Sequence, residues 1–303
     1  MNIFTDINPA AWIDRNMPDS WRPYARLMRL DRPIGTWLLL LPCWWSLALV
    51  EGAPWLSGLF YALLFAIGAL IMRGAGCVVN DIYDRNIDKM VERTSIRPLA
   101  SGEVTLWQAL VFLAVLLLIG LGILFCFNKT TLYTAIISLA LVFTYPLMKR
   151  ITWWPQLFLG FTFNWGALLG WAALTGSIGM ATIPLYLGGV VWTLAYDTLY
   201  AHQDKRDDLA VGVKSTALLF GDKSRPIIAL FYIAALGFFA LAGLAAQMHG
   251  LFYKGLVIAG LQAAWHLALW RMDDPADCLK RFKASRDFGL IILAAILLGH
   301  WPV

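Results

Sequence analysis

Charge is what this chain lacks. Only 14% of its 303 residues are Asp, Glu, Lys or Arg, while 60% are hydrophobic. A soluble domain usually carries about 25% charged residues. So thin a charged fraction cannot cover a water-facing surface, which excludes an ordinary soluble fold and makes lipid the expected solvent. Cysteine is scarce too. Cys43, Cys77, Cys126 and Cys278 are far apart with no Cys-x-x-Cys pair, which excludes a disulfide framework and a zinc site. The four histidines are scattered, and His266 reads as a helix-packing residue. No Gly/Ser linker, low-complexity tract or short repeat interrupts the chain, so a single domain is expected over 34–303. No apolar signal segment opens it. Residues 1–33 instead hold Asp6, Asp14, Arg15, Asp19, Arg22, Arg26, Arg29, Asp31 and Arg32. Trp12, Trp21, Tyr24 and Leu27 there suit a partly interfacial helix, with a plain tail as the alternative.

Long apolar runs are what the chain has. A membrane-crossing helix needs roughly 20 mostly apolar residues. Nine stretches approach that: Ile34–Val50, Leu56–Val79, Leu106–Phe127, Leu132–Met148, Trp153–Thr175, Ile183–Tyr200, Ile227–Ala246, Leu251–Trp270 and Phe288–Val303. The expected fold is all-α, a polytopic membrane protein of nine transmembrane helices. Assigning the N-terminus and every second loop to one side collects all the basic residues except Lys129 and Lys254. Lys and Arg concentrate on cytoplasmic loops. The N-terminus and the long loops near 73–105, 201–226 and 271–287 are therefore expected in the cytoplasm. No basic stripe with interleaved aromatics stands clear of the membrane, so nucleic-acid binding is excluded.

The acids gather on that same side in two groups. The first follows the second apolar stretch as Asn80-Asp81-x-x-Asp84-x-x-x-Asp88. On a continuing helix Asn80, Asp84 and Asp88 share one face, a turn apart. Carboxylates so placed repel unless a cation lies between them. An all-oxygen set suits Mg²⁺, which keeps several waters and bridges one or two carboxylates to phosphate. Arg73 lies seven residues earlier, near the same face and deeper in the bilayer. A charge there marks function by default, although an arginine can also snorkel to the interface. The second group is Asp197-x-x-Tyr200-Ala201-x-x-Asp204-x-x-Asp207-Asp208. Asp197, Asp204 and Asp208 fall on one face of a continuous helix, and Asp197 follows an apolar run that places it within the bilayer boundary. Asp207 reads equally as a solvated charge beside Lys205 and Arg206. Two acid groups with basic neighbours fit metal-assisted departure of a diphosphate. The resulting cation would be shielded from water among apolar helices rich in aromatics. An ion-coupled transporter is the alternative from another class, but transporter sites tend to lie mid-membrane on broken helices.

These two motifs resemble those of the UbiA superfamily of intramembrane prenyltransferases. Flanking segments are similar to the branch that acts on 4-hydroxybenzoate: 27–36, 72–79, Arg93-Thr94 with Arg97-Pro98-Leu99, 145–150 and 212–216. The resemblance runs from about residue 22 to the end. It implies a helical bundle whose central cavity opens to the cytoplasmic side. Asn80, Asp84, Asp88, Asp204 and Asp208 would hold Mg²⁺ and a polyprenyl diphosphate, with Asp81 and Asp197 in support. Arg73, Arg150 and Lys214 would pair with diphosphate oxygens, and Arg97, Lys149 and Tyr200 would also contact substrate. Arg29 or Arg150 could hold the acceptor's carboxylate, since arginine binds either group bidentately. The implied product is 3-polyprenyl-4-hydroxybenzoate, on the ubiquinone pathway, with a naphthoate, homogentisate or haem as alternative acceptors. The absence of an Arg/Ser-rich, acid-poor leader points to a bacterial inner membrane.

Overall fold

The computed structural model describes residues 12–91 and 94–301. Asp6, Arg93 and Val303 lie outside the described residues. Every regular element among them is helical. In chain order these are α1 Trp12–Asn16, α2 Arg22–Leu27, α3 Ile34–Ala48, α4 Trp55–Asp88, α5 Pro98–Ser101, α6 Leu106–Leu124, α7 Lys129–Ile151, α8 Pro155–Phe163 and α9 Gly166–Thr175. They continue as α10 Thr182–Ala201, α11 Lys205–Val211, α12 Thr216–Phe220, α13 Ser224–Ala245, α14 Gly250–Ala268 and α15 Pro275–Leu298. Short 3-10 turns precede α11 and α13.

Five stretches among the described residues are long and apolar enough to cross a membrane: Trp55–Asp88, Leu106–Leu124, Lys129–Ile151, Pro155–Thr175 and Thr216–Ala245. Ile34–Ala48 is apolar but shorter. The expected count of nine is thus not reached by length and composition. The stretch expected as one helix over Trp153–Thr175 is broken at Asn164 and Trp165 into α8 and α9. The break is stabilised by Asn164, whose Nδ2 donates to Gly160 O at 2.9 Å and to Thr193 Oγ1 at 2.8 Å.

The chain forms two compact units. The first holds residues up to Thr36 and Ile67–Cys126. Its frame is helix on helix. Tyr24 of α2 meets Phe112 of α6 with ring centroids 5.1 Å apart, and Leu27, Ala75, Val78 and Ala109 are fully buried. α6 begins sharply because Thr105 and Gln108 form a capping box, each side chain accepting from the other's backbone N–H. α4 is 34 residues long, about 50 Å at the usual helical rise. The hydrocarbon core is about 30 Å thick, so the last turns of α4, which carry the first acid group, outrun it.

The second unit holds Trp37–Ala66 and Phe127–Val303. Its centre is aromatic. Trp45 meets Trp192 in a tilted contact at 5.2 Å and Phe239 edge-on at 5.4 Å, and its Nε1 donates to Gly289 O at 2.8 Å. α9 lies directly on α3. A methyl at Gly170 would stand only 2.8 Å from Leu47 N and Ser46 Cβ, so a small residue is required for the two backbones to approach. Ser46 Oγ then accepts from Trp171 N at 2.8 Å. Asn128 caps α7 and donates to the last carbonyls of α9, Ala172 O at 2.7 Å and Ala173 O at 3.0 Å.

Candidate active site

The first acid group occupies the end of α4. Asn80 Nδ2 donates to Asp84 Oδ2 at 3.0 Å, as the one-turn spacing requires. Asp81, Asp84 and Asp88 are all buried. Burying carboxylates is costly unless they are paired, and two arginines do the pairing. Arg29 donates to Asp81 Oδ1 at 2.7 Å. Arg97 donates to both oxygens of Asp88, at 3.1 and 3.0 Å, and lies 3.5 Å from Asp81 Oδ1. The chain is bent to deliver them. Arg29 sits in the left-handed region at φ +57°, a conformation side-chain-bearing residues seldom adopt. Thr94 Oγ1 donates to Asp88 O at 3.0 Å, turning the loop back so that Arg97 returns to α4. The family resemblance implies these arginines as substrate contacts, but not that they neutralise the motif's own acids. Arg73, further down α4, donates to Cys77 Sγ.

The second acid group lies in the second unit. Asp197 and Tyr200 are half-buried near the end of α10, and the Tyr200 ring packs on Phe282 at 4.4 Å. The continuous helix expected through Asp208 is not observed. His202–Asp204 form a 3-10 turn before α11. A 3-10 turn has three residues per turn instead of 3.6, so the face carrying Asp204 and Asp208 is rotated by about 60° from that of a regular helix. Asp207 is exposed, as a solvated charge should be.

His202, which sequence reasoning passed over as one scattered histidine, anchors this turn. Ser224 Oγ donates to Gly221 O at 2.7 Å, so it must accept from the His202 Nε2–H at 2.8 Å. The His202 ring also meets Trp270 edge-on at 5.0 Å. Burial, reinforced by the nearby charge of Lys205, pulls its pKa down to about 4. The imidazole is therefore neutral at pH 7, in the tautomer that Ser224 selects.

The segment after α11 is fixed just as closely. Lys214 N donates to Lys149 O at 2.9 Å, and Lys214 Nζ donates to Ile151 O at 3.0 Å and lies 5.8 Å from the Trp153 ring centre. Three cations predicted to meet substrate, Lys149, Arg150 and Lys214, thus gather at the C-terminal end of α7, where the helix dipole favours positive charge. Thr198 and Thr216 hydroxyls lie 2.7 Å apart, and Thr216 N donates to Gln156 Oε1 at 3.1 Å. Neither threonine nor Gln156 carries a sequence signal that separates it from ordinary helix packing.

No three His, Cys, Asp or Glu side chains form a ready metal cage among the described residues. The donor set still fits Mg²⁺. Asn80 and Asp84 are oxygen-bearing side chains in contact on one helical face, and Mg²⁺ commonly takes one or two carboxylates and fills its remaining positions with water and phosphate.

Comparison with known proteins decides the family. The model of the UbiA prenyltransferase family matches residues 39–292. The chain belongs to that family. It is 50% identical over 295 residues to the mitochondrial 4-hydroxybenzoate polyprenyltransferase of Arabidopsis thaliana, an alignment covering 97% of this chain and 72% of that enzyme. A UbiA homologue from Aeropyrum pernix K1 shares the fold with TM-score 0.69 at 24% identity, covering 87% of this chain and 96% of that one. A UbiA homologue from Archaeoglobus fulgidus, solved with GPP and Mg²⁺, shares it with TM-score 0.62 at 16% identity, covering 91% and 99%.

One expectation falls here. Assignment to a bacterial inner membrane is overturned, because UbiA relatives from plant, insect and mammal at 46–50% identity are mitochondrial enzymes. The basic bias of the loops reports a side of a bilayer, not which membrane it is. With that correction goes the assignment of the N-terminus and long loops to the bacterial cytoplasm.

Proposed function

We propose that this UbiA protein transfers a polyprenyl group from a polyprenyl diphosphate to the ring carbon ortho to the phenol of 4-hydroxybenzoate. The supporting observation is 50% identity, over 97% of the chain, to an enzyme of that name. Both acid motifs lie within the aligned family region.

In this reading Asn80, Asp84, Asp88, Asp204 and Asp208 are the residues that hold Mg²⁺. When bound, the ion supplies Lewis-acid help to the diphosphate leaving group. Arg73, Arg97, Lys149, Arg150 and Lys214 neutralise phosphate oxygens, and Arg29 or Arg150 holds the acceptor's carboxylate. Asp81 supports the site through Arg29 and Arg97, and Tyr200 contacts substrate. Asp197 accepts a hydrogen bond from the phenol hydroxyl, enriching the ring. The allylic C–O bond breaks, the ring carbon forms the new C–C bond, and that carbon then loses its proton. Apolar helices exclude water from the cation meanwhile. We further propose nine membrane crossings in a single domain over 34–303, with the site opening to the side bearing the basic loops. Within the N-terminal segment, the described residues 12–33 lie partly at the interface, where Trp12 and Trp21 are exposed.

The test is an assay of purified protein with one labelled polyprenyl diphosphate and a panel of acceptors. Product from 4-hydroxybenzoate, lost on chelation and restored by Mg²⁺, is expected. Product from a naphthoate or homogentisate, and none from 4-hydroxybenzoate, refutes the acceptor assignment.

A further inference from the structure

We propose that Gly35 is a positioning residue for the reaction: its missing side chain leaves the slot in which the Arg73 guanidinium is held. The inference rests on the reading of Arg73 as a diphosphate contact. Both residues belong to the first unit. Gly35 is the second residue of α3. A methyl group there would stand 2.9 Å from both Cζ and Nη2 of Arg73, and closer still to Nε. Real Cβ atoms do not approach heavy atoms that closely, so alanine and the observed guanidinium position exclude one another. The same guanidinium donates to Cys77 Sγ, one turn further along α4. Cys77 is buried and free. The Arg73 head group is therefore limited by an empty side chain at Gly35 and anchored by a thiol at Cys77.

The chemistry of the clash makes the idea testable. The atoms in the way are the tip of a flexible side chain, not backbone. Alanine at position 35 can be accommodated by swinging Arg73 aside, at little cost to the fold. Alanine is also a better helix former than glycine. Gly35→Ala should therefore leave folding intact while moving one cation. A loss that appears in substrate binding, and not in stability, separates positioning from structure. An arginine that loses a charged hydrogen bond on phosphate forfeits about ten-fold in affinity.

The experiment uses the full chain, purified in detergent, as wild type, Gly35→Ala, Arg73→Met and the double variant. Binding of a non-reactive prenyl diphosphate analogue, KM and kcat for prenyl diphosphate, and thermal unfolding are measured for each. Gly35→Ala is expected to unfold at or above the wild-type temperature. Its affinity for the analogue should fall about ten-fold, with KM for prenyl diphosphate rising in step. In the Arg73→Met background Gly35→Ala should add nothing, since the group it acts through is gone. Cys77→Ala should weaken the analogue in the same direction, and Cys77→Ser, which keeps an acceptor, should restore it. Unchanged affinity in Gly35→Ala beside impaired Arg73→Met overturns this inference alone, as would full additivity in the double variant. Unchanged affinity in Arg73→Met overturns the assignment of Arg73 to diphosphate and the role of Gly35 with it.

Discussion

The two acid groups differ in how deeply they are buried and in the contacts that fix the backbone around them. On α4 the acids are buried and matched by charge, with Arg29 on Asp81 and Arg97 on Asp88. On α10 and α11 they are more exposed, and neutral hydrogen bonds set the backbone that carries them: His202 to Ser224, and Thr198 to Thr216. The difference teaches where each region is vulnerable. Ionic pairing in a buried setting is unforgiving, because removing one partner strands the other. A neutral anchor costs less to lose, but it fixes the direction of a turn. A charge-matched cluster is also already arranged to trade partners when a diphosphate arrives.

The largest expected effect breaks both regions at once. Asp84→Ala and Asp204→Ala should each lower transfer at least about 1,000-fold, on the scale of losing a group that stabilises charge in the transition state. Both should remain folded in the membrane, as judged by yield and thermal unfolding. Activity retained in both would refute the reading in which each region supplies metal ligands.

A smaller effect separates the two means of support. Arg97→Met leaves Asp88 without its bidentate partner and should cost about 3 kcal/mol of stability. Ser224→Ala removes the acceptor of the His202 Nε2–H and the donor to Gly221 O, both neutral, and should cost about 2 kcal/mol. Thermal unfolding of the two variants side by side measures the gap. Equal losses would show that charge matching on α4 is no more demanding than the neutral anchor.

Much of this was readable in the residues, and the parts that were not share a cause. Helical spacing alone puts Asn80 beside Asp84, because only the local helix is involved. The pairing of Arg29 with Asp81 spans 52 residues and depends on a left-handed arginine, for which no local pattern exists. The 3-10 turn at His202 depends on a serine 22 residues on. The break between α8 and α9 follows from Asn164 reaching Thr193 on another helix. Each miss is a tertiary partner overriding a regular local period. The compartment failed for another reason: charge asymmetry carries no information about which membrane is crossed.

The smallest effect concerns an ion pair on α15 that belongs to neither motif. Asp277 accepts from Arg271 N at 2.8 Å and pairs with Arg281 at 3.2 Å, both near the start of α15. Arg281 also reaches His266 Nδ1 at 3.2 Å and Leu269 O at 3.2 Å, tying α14 to α15. Burial alone would raise the Asp277 pKa, but the Arg271 N–H and the Arg281 charge outweigh it and hold the carboxyl below its ordinary value. A carboxylate with a lowered folded-state pKa contributes stability at pH above its unfolded value. That contribution is lost as pH falls through the folded pKa. Asp277→Asn keeps an acceptor for Arg271 N but loses the charge facing Arg281, so it should cost about 1 kcal/mol near neutrality. The unfolding temperatures of wild type and Asp277→Asn should differ at pH 6 and converge below the ordinary carboxylate range. A difference that persists into strong acid would mean that Asp277 acts through shape alone.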